Sequence, residues 1–275
     1  MRRAEARLPL EHAVALGLLH GPAELLPISS SAHTALVPWL LGWPYVRLDG
    51  ELRKSFEVAL HTGTGVALAI SMRAELRRSL ARADGRRARV LALALAPPTL
   101  AGYLLEGPIE RRLGGPRSIA AGLVAGAMAM ALTDIRASRH AAGERASEDA
   151  SAVDGLALGL AQALALVPGV SRNGATLGAA RARGFSRAAA QALSWEAGLP
   201  LVLGASVRRG LALCRSGIRG GHCGVLGAGG GAAFVSTLVS ARALRRGTRE
   251  GRPLLAYSVY RCLLAALVIA RGRAQ

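Results

Sequence analysis

The sequence predicts an all-α polytopic membrane protein built as inverted repeats, with about six transmembrane helices and two re-entrant helical hairpins. Three observations carry this prediction. The chain has 275 residues, is 51% hydrophobic and has a formal net charge of +18, yet its mean hydropathy is +0.31; apolar and basic residues are therefore segregated into separate stretches. Several apolar blocks approach the roughly 17–20 residues that cross a hydrocarbon core. Finally, two stretches, ELLPISSSAH at 24–33 and VPGVSRNGAT at 167–176, interrupt apolar runs with the same plan of proline, serine and a new apolar run.

In order, the apolar blocks fall at residues 13–26, 33–43, 58–72, 90–105, 118–132, 153–167, 175–180, 188–207, 221–240 and 253–270. The four that flank the two interruptions are too short to span singly, so they read as two re-entrant pairs or broken helices. Residues 73–89 carry seven arginines against Glu75 and Asp84, and a short basic loop of this kind stays in the cytoplasm. Alternation then places 106–117 outside and 134–149 inside. The whole chain, 1–275, reads as one integral membrane domain, with 1–140 as the first repeat and 150–275 as the second. Gly17, His20, Ala23, Pro27, Ile28 and Ser29 can be laid over Gly159, Gln162, Ala165, Pro168, Val170 and Ser171 with a one-residue gap. That is the sequence trace of a duplicated membrane fold, although Ala/Leu-rich sequence also produces chance similarity.

A nucleic-acid binder would also be basic, but its arginines would interrupt amphipathic elements instead of gathering between apolar blocks, so no nucleic-acid partner is expected. Cys214, Cys223 and Cys262 lack CxxC spacing and read as incidental. The N-terminal MRRAEAR imitates a signal peptide, but His20, Pro22 and Glu24 interrupt the run behind it, so residue 1 onward is expected in the mature protein.

The chemistry concentrates at the two interruptions. Pro27 ends the helix before it, and Ser29, Ser30 and Ser31 offer N-cap oxygens to the next. A helix N-terminus presents unpaired N–H groups and a positive dipole end, which favour phosphate. Pro168, Gly169 and Ser171 repeat the device, with Asn173 and Gly174 behind them. Arg172 adds a planar, permanently charged fork suited to phosphate oxygens, and an intramembrane arginine is a functional candidate by default; the alternative is an arginine snorkelling to the interface. Thr176 falls on the same helical face as Arg172, though a lone threonine there is more often packing. His20 and Glu24, four apart, can both point at the serines or merely neutralise each other, and His33 just beyond can move a proton. Glu57 and His61 repeat the spacing but stand beside no serine or arginine, so they read as structural or substrate-lining. Tyr260 and Arg261 read as an interfacial anchor pair.

The sequence resembles the bacterial undecaprenyl-diphosphate phosphatase, or bacitracin-resistance, family over nearly its whole length. The segments that carry the likeness are GPAELLPISSSAH (21–33), FEVALHTG (56–63), LAQALALVPGVSRNGAT (160–176), LSWEAGLPLVLGAS (193–206) and AYSVYR (256–261). The resemblance implies inverted repeats whose re-entrant helices meet at one site. It implies removal of the terminal phosphate from a polyprenyl diphosphate with a divalent cation, Mg²⁺ or Ca²⁺, in the bacterial plasma membrane. The product is the lipid carrier for cell-wall synthesis. The site is expected toward the extracytoplasmic side, and the chain is expected to associate as a homodimer.

Carried over position by position, Glu24 matches the second acid of the family's acid motif and Ser30 and His33 its serine and histidine. Ser171, Arg172 and Thr176 match the phosphate motif of the second half. His20 stands where the family usually has Glu or Gln, Asn173 where it usually has Ser, and Glu196 where an apolar residue is usual. The change at His20 either removes a metal ligand or a base with the lost carboxylate or replaces it with a working substitute, because imidazole also binds metal and moves protons.

The expected roles are Ser30 as nucleophile, His33 and Glu24 in proton transfer, and Ser29, Ser171, Arg172, Asn173 and Thr176 around phosphate. Glu24 is a candidate metal ligand. Direct attack by water with His33 as base stays open. The rival classes are a polyprenyl-phosphate transporter and a degenerate lipid-phosphate-binding protein.

Overall fold

The structure is a computed structural model and describes residues 7–81, 84–139, 144–216, 222–247 and 254–274, omitting side chains at 76, 78–80, 212–214, 216 and 245–247. The leader-like residues 1–6 and the Cys214 side chain lie outside the described residues; Cys223 and Cys262 are free thiols.

Eleven helices are described: α1 (Leu10–Leu25), α2 (Ser30–Leu41), α3 (Gly50–Ser71), α4 (Arg73–Ala81), α5 (Gly85–Leu113), α6 (Pro116–Arg139), α7 (Ala152–Leu164), α8 (Arg172–Ala182), α9 (Arg187–Ser216), α10 (Cys223–Gly247) and α11 (Leu255–Ala274). The only strand-like pairing among the described residues is a single bridge between Arg145 and Phe185. Among the described residues, α5, α6, α10 and α11 are long and apolar enough to cross a membrane. Helices α3 and α9, of 22 and 30 residues, also reach at about 1.5 Å per residue, but they carry more charge. They pack against each other. The four helices at the interruptions have 16, 12, 13 and 11 residues, too short for a core about 30 Å thick. Leu100, Leu132, Val239, Leu263 and Leu267 are each at least half exposed, so the outer surface of the bundle is one that lipid covers.

The short helices do not pack on their sequence neighbours alone. Helix α1 lies along α10 and α7 along α5, while α6 packs on α11. Close backbone approach through small residues holds both crossings. A Cβ on Gly17 would overlap the Gly229 carbonyl of α10, and one on Gly159 would overlap the Leu93 carbonyl of α5.

At the far end of α8 an ion cluster ties the joint between the halves. Arg181, 2% exposed, donates to Asp134 at 2.9 Å, Glu144 at 2.8 Å, the Phe185 carbonyl at 2.6 Å and Ser138 at 3.2 Å. Arg145 and Arg183 both reach the buried Asp154. Arg187 also donates to Asp134 at 3.0 Å, so Arg181→Ala removes several hydrogen bonds without stranding that carboxylate and is expected to lower stability by about 1–3 kcal/mol, read as a lower thermal midpoint in detergent.

Candidate active site

Both interruptions form the same local structure. Ser29 has φ 74°, ψ 95° and Ser171 has φ 68°, ψ 114°, and among the described residues these are the non-glycine residues with positive φ. Each caps the helix it precedes: Ser29 Oγ accepts from the Ala32 N–H at 3.4 Å and Ser171 Oγ from the Gly174 N–H at 3.3 Å. Such a backbone costs on the order of 1–3 kcal/mol and persists where surrounding structure enforces it. The enforcing group is Arg261, fully buried on α11. Its Nη2 donates to the Gly169 and Val170 carbonyls at 2.8 and 2.7 Å, and its Nη1 lies 3.5 Å from the Pro27 carbonyl. Helix breaks leave carbonyls without amide partners, and one guanidinium serves both loops.

The paired N-termini open on one cavity of about 510 Å³, lined on its polar side by Glu24, Ser29, Ser30, His61, Ser171 and Arg172. Within it Ser30 Oγ donates to Glu24 Oε2 at 2.6 Å, and Arg172 Nη2 donates to Glu24 Oε1 at 3.2 Å. One carboxylate thus joins the hydroxyl of the first interruption to the cation of the second. Arg172 Nη1 is buried with no hydrogen-bond partner, a donor free for an anion. It passes over Gly198 of α9, where a Cβ would overlap it. Because the atom in the way ends a flexible side chain, Gly198→Ala is expected to fold normally while displacing the guanidinium. A misplacement of about 1 Å costs roughly 10²-fold in rate, so its turnover should fall by about that factor with an unchanged melting profile.

The other expected residues divide. Asn173 borders the cavity, donates to the Leu25 carbonyl at 2.8 Å and accepts from Ser194 at 2.8 Å, so its amide fastens the second hairpin to the end of α1. Thr176 is fully buried, with its hydroxyl on Ser194 and the Arg172 and Asn173 carbonyls; it packs behind the second interruption. His33 Nδ1 lies 2.7 Å from the Ser29 carbonyl and therefore donates to it, which leaves Nε2 to accept from Tyr260 Oη at 2.6 Å. Both ring nitrogens are engaged, and neither contacts Ser30. Glu196 pairs with Arg87 at 2.7 Å, tying α9 to α5.

His20 is 1% exposed. Its Nδ1 lies 2.9 Å from Thr64 Oγ1 and its Nε2 has no partner. Its ring meets the His61 ring edge-on, centroids 4.6 Å apart. Ligand atoms of His20, Glu24 and His61 all lie within 4.8 Å of one another, a set that can hold a metal ion.

A family profile described as "Bacitracin resistance protein BacA" matches residues 13–267. The chain belongs to this family. Curated relatives named "Undecaprenyl-diphosphatase" include one from Geobacter sulfurreducens, 36% identical over 275 residues and covering 96% of this chain and 98% of that one. One from Pelobacter propionicus is 36% identical over 274 residues, covering 94% and 96%. One from Trichlorobacter lovleyi is 40% identical over 230 residues, covering 78% and 79%.

Against this BacA-family background, the anchor reading of Tyr260 and Arg261 is corrected: Arg261 is fully buried beneath both loops, and Tyr260 stacks on His33 with ring centroids 5.6 Å apart. The signal available in the sequence was an arginine inside an apolar block, which marks a functional position by default. His61 belongs with His20 and Glu24 and not with Glu57, whose carboxylate accepts from Tyr45 at 3.1 Å. Its spacing pointed to Glu57 because helical neighbours are visible in sequence and partners across helices are not.

Proposed function

We propose that this chain removes the terminal phosphate of undecaprenyl diphosphate, giving the undecaprenyl phosphate that carries cell-wall precursors, and so confers bacitracin resistance. The relatives bear the name of that activity. The observation that carries it to this chain is the Glu24 carboxylate, bonded at once to Ser30 and Arg172 at the meeting point of two helix N-termini.

Arg172 and the first-turn N–H groups of α2 and α8 hold the terminal phosphate and absorb charge that develops in the transition state. Ser30 Oγ attacks the terminal phosphorus as its proton passes to Glu24 Oε2, and the bond from that phosphorus to the bridging oxygen breaks. Polyprenyl phosphate leaves, and water then hydrolyses the phosphoserine. His33, held by the Ser29 carbonyl and Tyr260, fixes the loop that carries Ser30. His20, Glu24 and His61 are the residues that would hold a divalent cation, which when bound supplies Lewis-acid stabilisation of phosphate charge. Leu95, Leu166, Leu201 and Val202 on the cavity's apolar side suit the start of the polyprenyl tail.

Support for an extracytoplasmic mouth comes from Glu106, Arg208 and Arg209, which line the cavity, both arginines pairing with Glu106. Glu106 lies 21 residues along α5 from Gly85 beside the basic loop, about 30 Å at helical rise, which is the thickness of a hydrocarbon core. Support for repeats at 1–140 and 150–275 comes from the matched caps at Ser29 and Ser171 and from the exchange in which α1 packs on α10 and α7 on α5. A homodimer finds support in Gly227 and Gly231, four apart on α10 and facing open space.

Phosphate release from undecaprenyl diphosphate by the purified chain in detergent tests the reading. Sustained release supports it; lipid binding without release, where no two-sided membrane exists, points to the transporter class instead.

A further inference from the structure

The resemblance implies Mg²⁺ or Ca²⁺, hard cations that take oxygen ligands, but two of the three donors gathered here are imidazole nitrogens. We propose that His20, Glu24 and His61 form a site for a first-row transition-metal dication of the zinc type, which binds in preference to Mg²⁺ or Ca²⁺. Imidazole suits such ions, and a carboxylate with two histidines leaves coordination positions open for phosphate oxygens.

The surroundings of His20 carry the argument. Its Nδ1 meets Thr64 Oγ1 at 2.9 Å, and Thr64 in turn receives the Thr237 hydroxyl at 3.2 Å. In the tautomer whose Nδ1–H donates to Thr64, Nε2 presents a bare lone pair in a place where it is buried and has no partner. Metal-binding histidines are oriented in this way, by a hydrogen bond from the ring nitrogen that faces away from the ion. Glu24 follows His20 by four residues and shares its helical face. His61 arrives from α3 with its ring edge against the His20 ring and borders the cavity that Ser30 and Arg172 line. The substitution at position 20 therefore changes the chemical type of the site while keeping it beside the phosphate.

This inference rests on the dephosphorylation reading for the use of the open positions, so binding is measured apart from turnover. The full-length chain in detergent, stripped by chelator, is titrated with Zn²⁺ by calorimetry in a large excess of Mg²⁺, and with Co²⁺ by its visible absorption. One zinc per chain retained against Mg²⁺ is expected. Affinity should fall sharply in His20→Gln and His61→Gln, and by about 10- to 100-fold in Thr64→Val, which removes no ligand; gel filtration verifies folding of each. Displacement of zinc by Mg²⁺, or equal zinc binding by His20→Gln and His61→Gln, overturns the inference. Phosphate release without zinc binding overturns it while leaving the function intact. Zinc binding without phosphate release upholds it and removes the function.

Discussion

Phosphate release by an Arg172→Lys variant is expected to fall about 10³-fold, the low end of what an arginine that stabilises a transferring phosphoryl group contributes. Arg172 uses Nη2 to contact Glu24 and leaves Nη1 buried without a partner. A lysine has a single ammonium and cannot serve the carboxylate and a phosphate oxygen in the same planar geometry. If it stays with Glu24 the phosphate loses its donor; if it turns to the phosphate, Glu24 loses its partner. The loss should appear mainly in kcat, because the charge it answers develops in the transition state. Steady-state phosphate release over a substrate series measures this, and retention of more than about a third of wild-type kcat would remove Arg172 from the chemistry. Gly198→Ala provides the matching case, since it keeps the guanidinium and changes only its position.

The two interruptions were legible in the sequence because their structure is local. A proline stops a helix, a serine caps the next, and both effects act within a few residues. The short lengths of the flanking helices followed from the same spacing. What could not be read was which distant side chain each loop meets. Tyr260 lies 227 positions from His33, and Arg261 lies 234 positions from Pro27. Both belong to a helix whose apolar pattern says that it crosses a membrane but not which face meets the loops. His61 shows the same limit. Its helical neighbour Glu57 was visible, whereas its partnership with His20 and Glu24 exists only because α1 and α3 both pack on α10 and meet there. His33 meets the same limit: a histidine just beyond a serine cluster looks free in the sequence, whereas in the structure the carbonyl of Ser29 and the hydroxyl of Tyr260 engage both its nitrogens.

In the proposed mechanism Glu24 is the group that activates Ser30, and a double-mutant cycle tests the assignment. Ser30→Ala should reduce phosphate release by about 10⁴-fold or more, because it removes the attacking atom. Glu24→Gln should reduce it by about 10²- to 10⁴-fold, the range for a lost general base; the amide keeps the volume of the side chain but cannot take the proton that now lies along a 2.6 Å hydrogen bond. If Glu24 acts through Ser30, the double variant is no slower than Ser30→Ala alone, since a base has nothing to activate once the hydroxyl is gone. If Glu24 acts independently, by holding Arg172 or a metal, the two losses multiply. Near-normal release by Ser30→Ala would mean that water attacks directly, and the 2.6 Å contact would then serve only to shape the loop. The pattern of the three rates thus separates a serine–carboxylate mechanism from one in which water attacks or Glu24 acts through Arg172 or a cation.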